Sequence, residues 1–288
     1  MKNGTITTST QLCAVIGNPV AHSLSPALHN AAFNELGLDF VYVAFQVENL
    51  KDALVGMRAL KNFRGMSVTI PHKIDAMNHV DEIAEVDRTI GSINTIINEQ
   101  GRLIGLGTDG PGALKALLDA GVELDGKNIL MLGSGGAARA IAFTLARNTR
   151  LAKLALLDIN ESMLHGLVAD LQNGTGAVIE AEPLTDRSLA EAMTQADVII
   201  HCTPLGMHPK EGVSLVPAAL FRPGQVVFDI VYTPLETKLL ADARSRGLKV
   251  ISGVEMFINQ AVLQFERFTG VDAPVDVMRR VVMEKLGL

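Results

Sequence analysis

A glycine-rich segment near the middle of the chain has the composition of a phosphate-binding loop. It reads Gly133-Ser134-Gly135-Gly136-Ala137-Ala138 and stands between an apolar run typical of a buried strand and an alanine-rich stretch typical of a helix. Glycine lets the backbone approach a pyrophosphate, and the amino end of the helix presents N–H groups and a partial positive charge to it. The segment predicts a dinucleotide site. The alternative is a tight strand-to-helix turn that binds nothing.

An acidic residue, Asp158, ends the next apolar run after this loop. A carboxylate at that point of a dinucleotide-binding fold accepts a hydrogen bond from the 2′-hydroxyl of the adenine ribose of NAD and repels the 2′-phosphate of NADP. No arginine follows Asp158 closely in the sequence. We therefore predict NAD as the preferred cofactor, with NADP as the second choice. The alternative is that Asp158 only caps the following helix.

Polar residues follow predicted strands in the first third of the chain. Ser23 and Ser25 enter a helix, where two hydroxyls and the helix amino end could hold a carboxylate. Lys73 lies just beyond a strand that stops at Pro71, and ligands of open α/β sheets bind at the carboxyl ends of strands. Each residue has an ordinary alternative: Ser25 as a helix cap, Lys73 as a surface charge, and Asp109 as the cap of the helix that follows it.

Apolar runs of strand length alternate with helical patterns along the whole chain. Such alternation predicts an α/β fold with mostly parallel sheets. We expect an N-terminal α/β domain over residues 1–112, which carries these polar residues, and a Rossmann-like dinucleotide-binding domain over residues 113–253. Two amphipathic helical segments within residues 254–288 are expected to pack back on the first domain and complete it.

The composition excludes several classes of protein. The 288 residues are 48% hydrophobic and 19% charged with a net charge of −6, which is typical of a globular protein and gives no basic patch for a nucleic acid. No apolar stretch reaches the roughly 18 residues of a membrane helix. Cys13 and Cys202 lie far apart inside apolar runs, which indicates reduced thiols and a cytoplasmic location. The histidines lack metal-ligand spacing, so no metal is expected.

The order of these motifs resembles that of the shikimate/quinate dehydrogenase family. The likeness covers nearly the whole chain, and several independent motifs occur in one order. They are the loop 17–26, the segments 68–73, 94–95 and 108–109, the glycine-rich loop, and the C-terminal segments 202–207, 229–234 and 253–265.

The resemblance implies a role for each candidate residue. Ser23 and Ser25 would bind the substrate carboxylate. The side chains that would hold ring hydroxyls are those of Thr69, Asn94, Tyr232 and Gln260. The residues that would hold the pyrophosphate are Gly133, Gly135, Gly136 and Ala137. The residues that would lie near the nicotinamide are Thr203, Met207 and Gly253.

Lys73 and Asp109 match the family's catalytic pair. Oxidation of an alcohol moves a hydride to the nicotinamide and a proton to the protein, and a lysine held in place can exchange that proton. Asp109 would orient Lys73 and favour its charged form. The resemblance implies an NAD(P)-dependent oxidoreductase, monomer or homodimer, that interconverts shikimate or quinate, a small ring hydroxy acid, and its 3-dehydro ketone. A non-catalytic nucleotide-binding homologue is the alternative, and it would be expected to lack one of the pair.

Three departures from the family pattern bear on function. Gly107 stands where asparagine is common, which leaves a related ring hydroxy acid open as substrate. Asp158-Ile159-Asn160 stands where NADP-dependent members commonly have Asn-Arg-Thr. This favours NAD and a catabolic oxidation over the biosynthetic, NADPH-linked reduction of 3-dehydroshikimate. His201-Cys202 and Phe268 replace Asn-Ala and tryptophan, and His201 is either a core residue or a contact of the cofactor edge.

Overall fold

The computed structural model describes residues 6–287. The chain forms two compact units. The first ends at Thr108 and resumes at Gln260, and the second is Asp109–Asn259. The sequence predicted divisions after residues 112 and 253, whereas residues 109–112 and 254–259 belong to the second unit.

The first unit is built on a six-stranded sheet. Its strands are β1 (Gln11–Gly17), β2 (Phe40–Gln46), β3 (Phe63–Val68), β4 (Glu82–Ile83), β5 (Thr95–Glu99) and β6 (Arg102–Leu106). Their order across the sheet is β2-β1-β3-β5-β6-β4. β1 runs parallel to β2 and β3, β5 is antiparallel to β3 and β6, and β4 is parallel to β6.

This topology brings several polar segments to one edge of the sheet. β1 and β3 are parallel, so their carboxyl ends lie together, and the Thr69 N–H donates to the Ile16 carbonyl over 2.9 Å. β5 is antiparallel to β3, so the residue before it, Asn94, lies at the same edge, where its carbonyl accepts from the Val68 N–H over 2.8 Å. The segments after β1, β3 and β6 and before β5 therefore share this edge.

Within the described residues, the amino-terminal part of this unit has three α-helices and a 3-10 helix at Asp75–His79. The α-helices are α1 (Ser25–Glu35), α2 (Leu50–Arg58) and α3 (Glu85–Ile90). The strands that they cover are apolar because parallel strands at the centre of a sheet are buried on both faces. The core contains Ile16, Leu54, Phe63, Met66 and Ile96, all nearly inaccessible to solvent.

The second unit is a doubly wound α/β domain. Its strands are β7 (Asn128–Leu132), β8 (Lys153–Asp158), β9 (Ile179–Pro183), β10 (Val198–His201), β11 (Val226–Asp229) and β12 (Lys249–Ser252). Its helices are α4 (Asp109–Asp119), α5 (Gly136–Asn148), α6 (Glu161–Gly174), α7 (Asp186–Met193) and α8 (Lys238–Ser245). All strands are parallel, in the order β12-β11-β10-β7-β8-β9. This is the Rossmann order, so the predicted fold is confirmed.

Two helices end the chain. α9 (Gly253–Thr269) begins in the second unit, and its residues from Gln260 onward belong to the first. α10 (Val275–Lys285) packs on α1. Phe265 and Phe268 are fully buried beside His29 of α1, with ring centroids 6.3 and 5.9 Å from the imidazole. The carboxyl-terminal helices thus complete the first unit, as predicted. No helix between residues 6 and 287 combines the length and apolar content that crossing a membrane requires.

Candidate active site

Buried amides form the centre of the polar edge in the first unit. Asn94 precedes β5, and Thr108 follows β6. The Asn94 carboxamide donates from Nδ2 to Thr108 Oγ1 over 2.9 Å and accepts from the Thr108 N–H over 2.7 Å. Its Nδ2 also lies 3.4 Å from Gln260 Oε1. The structure therefore brings together two of the residues predicted to hold ring hydroxyls.

A second glutamine, one helical turn further along α9, holds this arrangement in place. Gln264 donates from Nε2 to Thr95 Oγ1 over 2.9 Å and accepts from the Ser67 hydroxyl over 2.7 Å. The Tyr42 hydroxyl in turn donates to Ser67 Oγ over 2.6 Å, and burial raises the pKa of Tyr42, so the phenol keeps its proton. Sequence analysis missed these residues. Two features of the sequence could have indicated them. Polar side chains occur inside apolar strands, and the four-residue spacing between Gln260 and Gln264 places both on one face of a helix.

Ser23 and Ser25 lie at the amino end of α1. The helix cap is Leu24, and no side chain of the described residues caps it, so the interpretation of Ser25 as an N-cap is wrong. Ser25 is the first helical residue and is buried, and its N–H donates to Ser23 Oγ over 3.3 Å. Two hydroxyls beside the first N–H groups of a helix suit a carboxylate.

Lys73 lies in the segment after β3, half-buried. Its carbonyl accepts the Ile93 N–H over 2.9 Å, which ties this segment to the one that leads into Asn94. The preceding residue, His72, is buried, and its Nε2 lies 2.7 Å from the Val47 carbonyl, which fixes the backbone from which Lys73 extends. Thr69, half-buried, stands against Gly17, where a Cβ would come within 2.4 Å of the Thr69 methyl group.

Asp109 begins α4 in the second unit and is buried. The next residue is Gly110, where a Cβ would lie 2.0 Å from Thr144 Oγ1 of α5. Only glycine permits this close approach of α4 to α5. Asp109 is therefore placed by helix packing, and it belongs to a different unit from Lys73.

The glycine-rich loop joins β7 to α5. Gly133 has φ +109°, a conformation that favours glycine. Gly135 has an ordinary φ of −70°, and a Cβ there would meet no heavy atom of the described residues within 4 Å. Neither backbone strain nor packing requires glycine at 135. Since no side chain in the described structure caps α5 and its first turn has no acidic residue, the open space and the helix amino end fit a pyrophosphate.

Asp158 at the end of β8 is bonded to this loop. Its Oδ2 accepts from the N–H and the hydroxyl of Ser134 over 2.6 and 2.7 Å, and its Oδ1 accepts from the Asn160 N–H over 2.8 Å. The cap of α6 is Asn160, whose side chain accepts from the Met163 N–H. The interpretation of Asp158 as a helix cap is therefore wrong, and the carboxylate is instead fixed beside the loop.

Thr203 and Gly253 lie at the carboxyl ends of β10 and β12. A Cβ on Gly133 would lie 3.1 Å from Thr203 Cγ2, so the end of β10 borders the glycine-rich loop. This is where the strand order of the sheet reverses, which is the crevice in which doubly wound sheets bind ligands. A Cβ on Gly253 would come within 2.3 Å of the Ile230 carbonyl oxygen, so this approach requires glycine.

Met207 and Tyr232 follow β10 and β11. Met207 is half-buried, and its carbonyl accepts the Lys210 N–H over 2.8 Å. Tyr232 stacks on Phe257 with ring centroids 4.6 Å apart, and burial raises the pKa of its phenol. Tyr232 lies in the second unit, whereas the other residues predicted to bind substrate lie in the first. Within residues 6–287, no group of three histidine, cysteine or acidic side chains could hold a metal ion.

Comparison with known proteins identifies the family. Residues 15–96 match the shikimate dehydrogenase substrate binding domain, residues 253–283 the shikimate 5′-dehydrogenase C-terminal domain, and residues 127–220 the NAD binding domain of lactate/malate dehydrogenase. The chain is 43% identical over 281 residues to the shikimate dehydrogenase (NADP(+)) of Moorella thermoacetica, a match that spans 97% of this chain and 95% of that protein. This chain belongs to the shikimate dehydrogenase family. The predicted resemblance is confirmed.

Solved shikimate dehydrogenase structures share the fold. Shikimate 5-dehydrogenase from Listeria monocytogenes, in complex with shikimate and NAD, has a TM-score of 0.89 and 34% identity over 96% of this chain and 98% of its own. Quinate dehydrogenase from Corynebacterium glutamicum, in complex with NAD, has a TM-score of 0.88 and 27% identity over 96% of this chain and 99% of its own. These structures confirm the architecture of a shikimate dehydrogenase.

Proposed function

We propose that this protein is an NAD(P)-dependent oxidoreductase that interconverts shikimate and its 3-dehydro ketone. The observation that carries the proposal is the buried set of Asn94, Thr108 and Gln260 at the sheet edge from which Lys73 extends. Clustered amides and hydroxyls favour a ligand with several hydroxyls, because such a ligand can both donate hydrogen bonds to them and accept hydrogen bonds from them. Membership of the shikimate dehydrogenase family supports the same substrate.

In this proposal, one group of polar residues binds the carboxylate of the substrate and another binds its ring hydroxyls. Ser23 and Ser25, beside the amino end of α1, bind the carboxylate. The ring hydroxyls are bound by Thr69, Asn94, Gln260 and Tyr232. Such a site rejects analogues that lack a hydroxyl more strongly than it rejects a small change in size, because the missing hydroxyl removes hydrogen bonds between the substrate and the amides.

Lys73 and Asp109 form the acid–base pair of the reaction. Lys73 Nζ takes the proton of the ring hydroxyl during oxidation and returns a proton to the developing alkoxide during reduction. Asp109 is the second member of this pair, as the family pattern implies. A nicotinamide cofactor, when bound, supplies the hydride acceptor and donor. It would be held by Gly133, Gly135, Gly136 and Ala137 at the pyrophosphate and by Thr203, Met207 and Gly253 near the nicotinamide.

NAD is the preferred cofactor in this proposal. Asp158 has both carboxylate oxygens fixed by backbone and hydroxyl donors, so its negative charge stays beside the loop where an adenine ribose would bind. The first basic residue after the loop, Arg139, forms an ion pair with Asp170 of α6. The Moorella thermoacetica relative is named for NADP(+), whereas the Listeria monocytogenes structure contains NAD. We base the proposed preference for NAD on Asp158 of this chain.

Gly107 does not leave a gap that would admit a different ring acid. A Cβ at Gly107 would lie 2.7 Å from Asp87 Oδ1. Asp87 is buried, accepts the Gly107 N–H, and has a pKa raised by that burial. The carboxyl group therefore fills the space that a side chain at position 107 would need. Shikimate remains the proposed substrate, with quinate as the second.

A cytoplasmic location is part of the proposal. Cys13 and Cys202 are free thiols, and burial raises the pKa of Cys13, so this thiol is protected from oxidation. Thiols that persist in the reduced form are typical of proteins of the cytoplasm.

The test is the initial rate of nicotinamide reduction with NAD and NADP, each against shikimate and quinate. We expect the highest kcat/KM with NAD and shikimate. Activity with NADP alone would reject the cofactor preference and keep the reaction. The absence of activity in all four combinations, with a protein that still binds NADH, would reject the proposed substrate.

A further inference from the structure

A chain of hydrogen bonds joins the ends of β10 and β11 in the second unit. His201, the last residue of β10, is buried, and its Nδ1 lies 2.9 Å from Oδ1 of Asp229, the last residue of β11. Its Nε2 lies 2.5 Å from Thr203 Oγ1. The imidazole is therefore a bridge between a fully buried carboxylate and a half-buried threonine.

The partners determine where the protons lie. The Asp229 carboxylate only accepts hydrogen bonds, so His201 Nδ1 carries a hydrogen and donates to it. A neutral imidazole that donates from Nδ1 has Nε2 as its acceptor, so in this tautomer the Thr203 hydroxyl donates to Nε2. Thr203 Oγ1 also accepts the Leu205 N–H over 3.3 Å. One lone pair of the oxygen remains, and it can only accept from a donor.

Thr203 lies at the carboxyl end of β10, beside the crevice in which doubly wound sheets bind ligands. Its methyl carbon lies against Gly133, the first glycine of the phosphate loop, at the point where the strand order reverses. With the methyl group against the loop and the hydroxyl hydrogen directed to His201, the side chain has one orientation. We propose that His201 is a positioning residue: held by Asp229, it fixes the Thr203 hydroxyl as an acceptor for an N–H or O–H donor on the nicotinamide-ribose half of the cofactor.

The carboxylate at the end of β11 does not depend on His201 for its hydrogen bonds. Asp229 also accepts the Thr237 hydroxyl over 2.6 Å and the Val231 N–H over 3.0 Å. The carboxylate therefore keeps two donors without His201. The link that His201 alone supplies is the one to Thr203. The inference rests on the proposed function in taking this crevice as the site of NAD(P).

The test compares dissociation constants measured by calorimetry for NADH and for ADP, which has no nicotinamide. Thr203→Val removes the hydroxyl and leaves the bond between His201 and Asp229 in place. We expect it to weaken NADH binding about 3- to 10-fold, the effect of one hydrogen bond, and to leave ADP binding unchanged. Thr203→Ser, which keeps the hydroxyl, should recover most of the lost affinity.

The second variant is His201→Asn, on which NADH binding is measured in the same way, and thermal unfolding shows whether the variant is folded. It should weaken NADH binding by a similar factor, and the double variant should bind no worse than Thr203→Val alone, because both changes act on one oxygen. An unchanged affinity for NADH in Thr203→Val, an equal loss for ADP, or losses that multiply in the double variant would overturn the inference. Shikimate turnover by the wild-type protein is measured on the same preparation. Its absence contradicts the proposed function, whereas the inference is judged on NADH affinity.

Discussion

Replacement of Asp158 by asparagine should shift the choice between the two nicotinamide cofactors towards NADP. The change removes one negative charge and keeps the size of the side chain. Two unit charges about 4 Å apart in a water-like medium interact by ~1 kcal/mol, so a 2′-phosphate with a charge of about −2 is repelled by about 2 kcal/mol. The hydrogen bond from the 2′-hydroxyl of NAD to the carboxylate contributes about 1 kcal/mol more. The sum, about 3 kcal/mol, corresponds to roughly a 100-fold change in selectivity.

The assay is the ratio of kcat/KM for NAD to that for NADP, at fixed ionic strength and with saturating shikimate. Asparagine cannot accept from all three donors that Asp158 now satisfies, so the loop around Ser134 will loosen. A looser loop weakens the binding of both cofactors, so its effect cancels in the ratio of the two kcat/KM values. The matched control is Glu161→Gln, which removes the same charge from an exposed position at the start of α6 and should change the ratio less than about threefold.

Two results would refute this reasoning. One is a wild-type protein that already prefers NADP, since the fixed carboxylate should oppose its 2′-phosphate. The other is a ratio in Asp158→Asn that stays within about twofold of the wild-type ratio, which would show that Asp158 serves only to hold the loop.

Three further outcomes are expected. Lys73→Ala should lower kcat by about 10²- to 10⁴-fold, with an unchanged unfolding temperature, and wild-type turnover in this variant would reject the acid–base assignment. Gly107→Ala should destabilise the protein by about 1–3 kcal/mol in urea unfolding, because its Cβ meets Asp87 Oδ1 at 2.7 Å. The double change with Asp87→Ala should recover most of that loss, and additive losses would contradict the close contact. Burial lowers the pKa of His29 from 6.5 to about 3, so the unfolded chain gains a proton below 6.5 that the folded chain does not take up. Stability should therefore fall as the pH drops from about 6 to 4, by roughly 1.4 kcal/mol per pH unit from this group, and His29→Phe should remove that part of the slope.

The glycine-rich loop and its surroundings were predictable from sequence because their determinants are local. An apolar run, Gly133 and an alanine-rich stretch follow one another in the chain, and the structure has β7, a glycine with positive φ and α5 at these positions. The alternation of strand and helix likewise predicted the Rossmann-like domain. The cap before α6 was not predictable, because Asp158 and Asn160 are both good capping residues and only the path of the chain decides between them.

The buried network of the first unit was not predictable from sequence. Gln264 bonds to Ser67 and Thr95, which are distant in the chain and become neighbours because β3 pairs with β5 and α9 returns to this sheet. No periodic pattern encodes such pairings. The position of His201 was not predictable for the same reason, and the sequence was compatible with a residue of the core or with a contact of the cofactor edge. Its buried ring reaches the edge of the crevice through Thr203.

The most direct test of the central claim is identification of the product. The wild-type protein is incubated with shikimate and NAD, and the ring acid is recovered and analysed by mass spectrometry and NMR. We predict a ring acid that has lost two hydrogens and gained a ketone at the oxidised position, in equal amount to the NADH formed, and no such product with Lys73→Ala. Unchanged shikimate after incubation with a wild-type protein that binds NADH would contradict the proposed reaction.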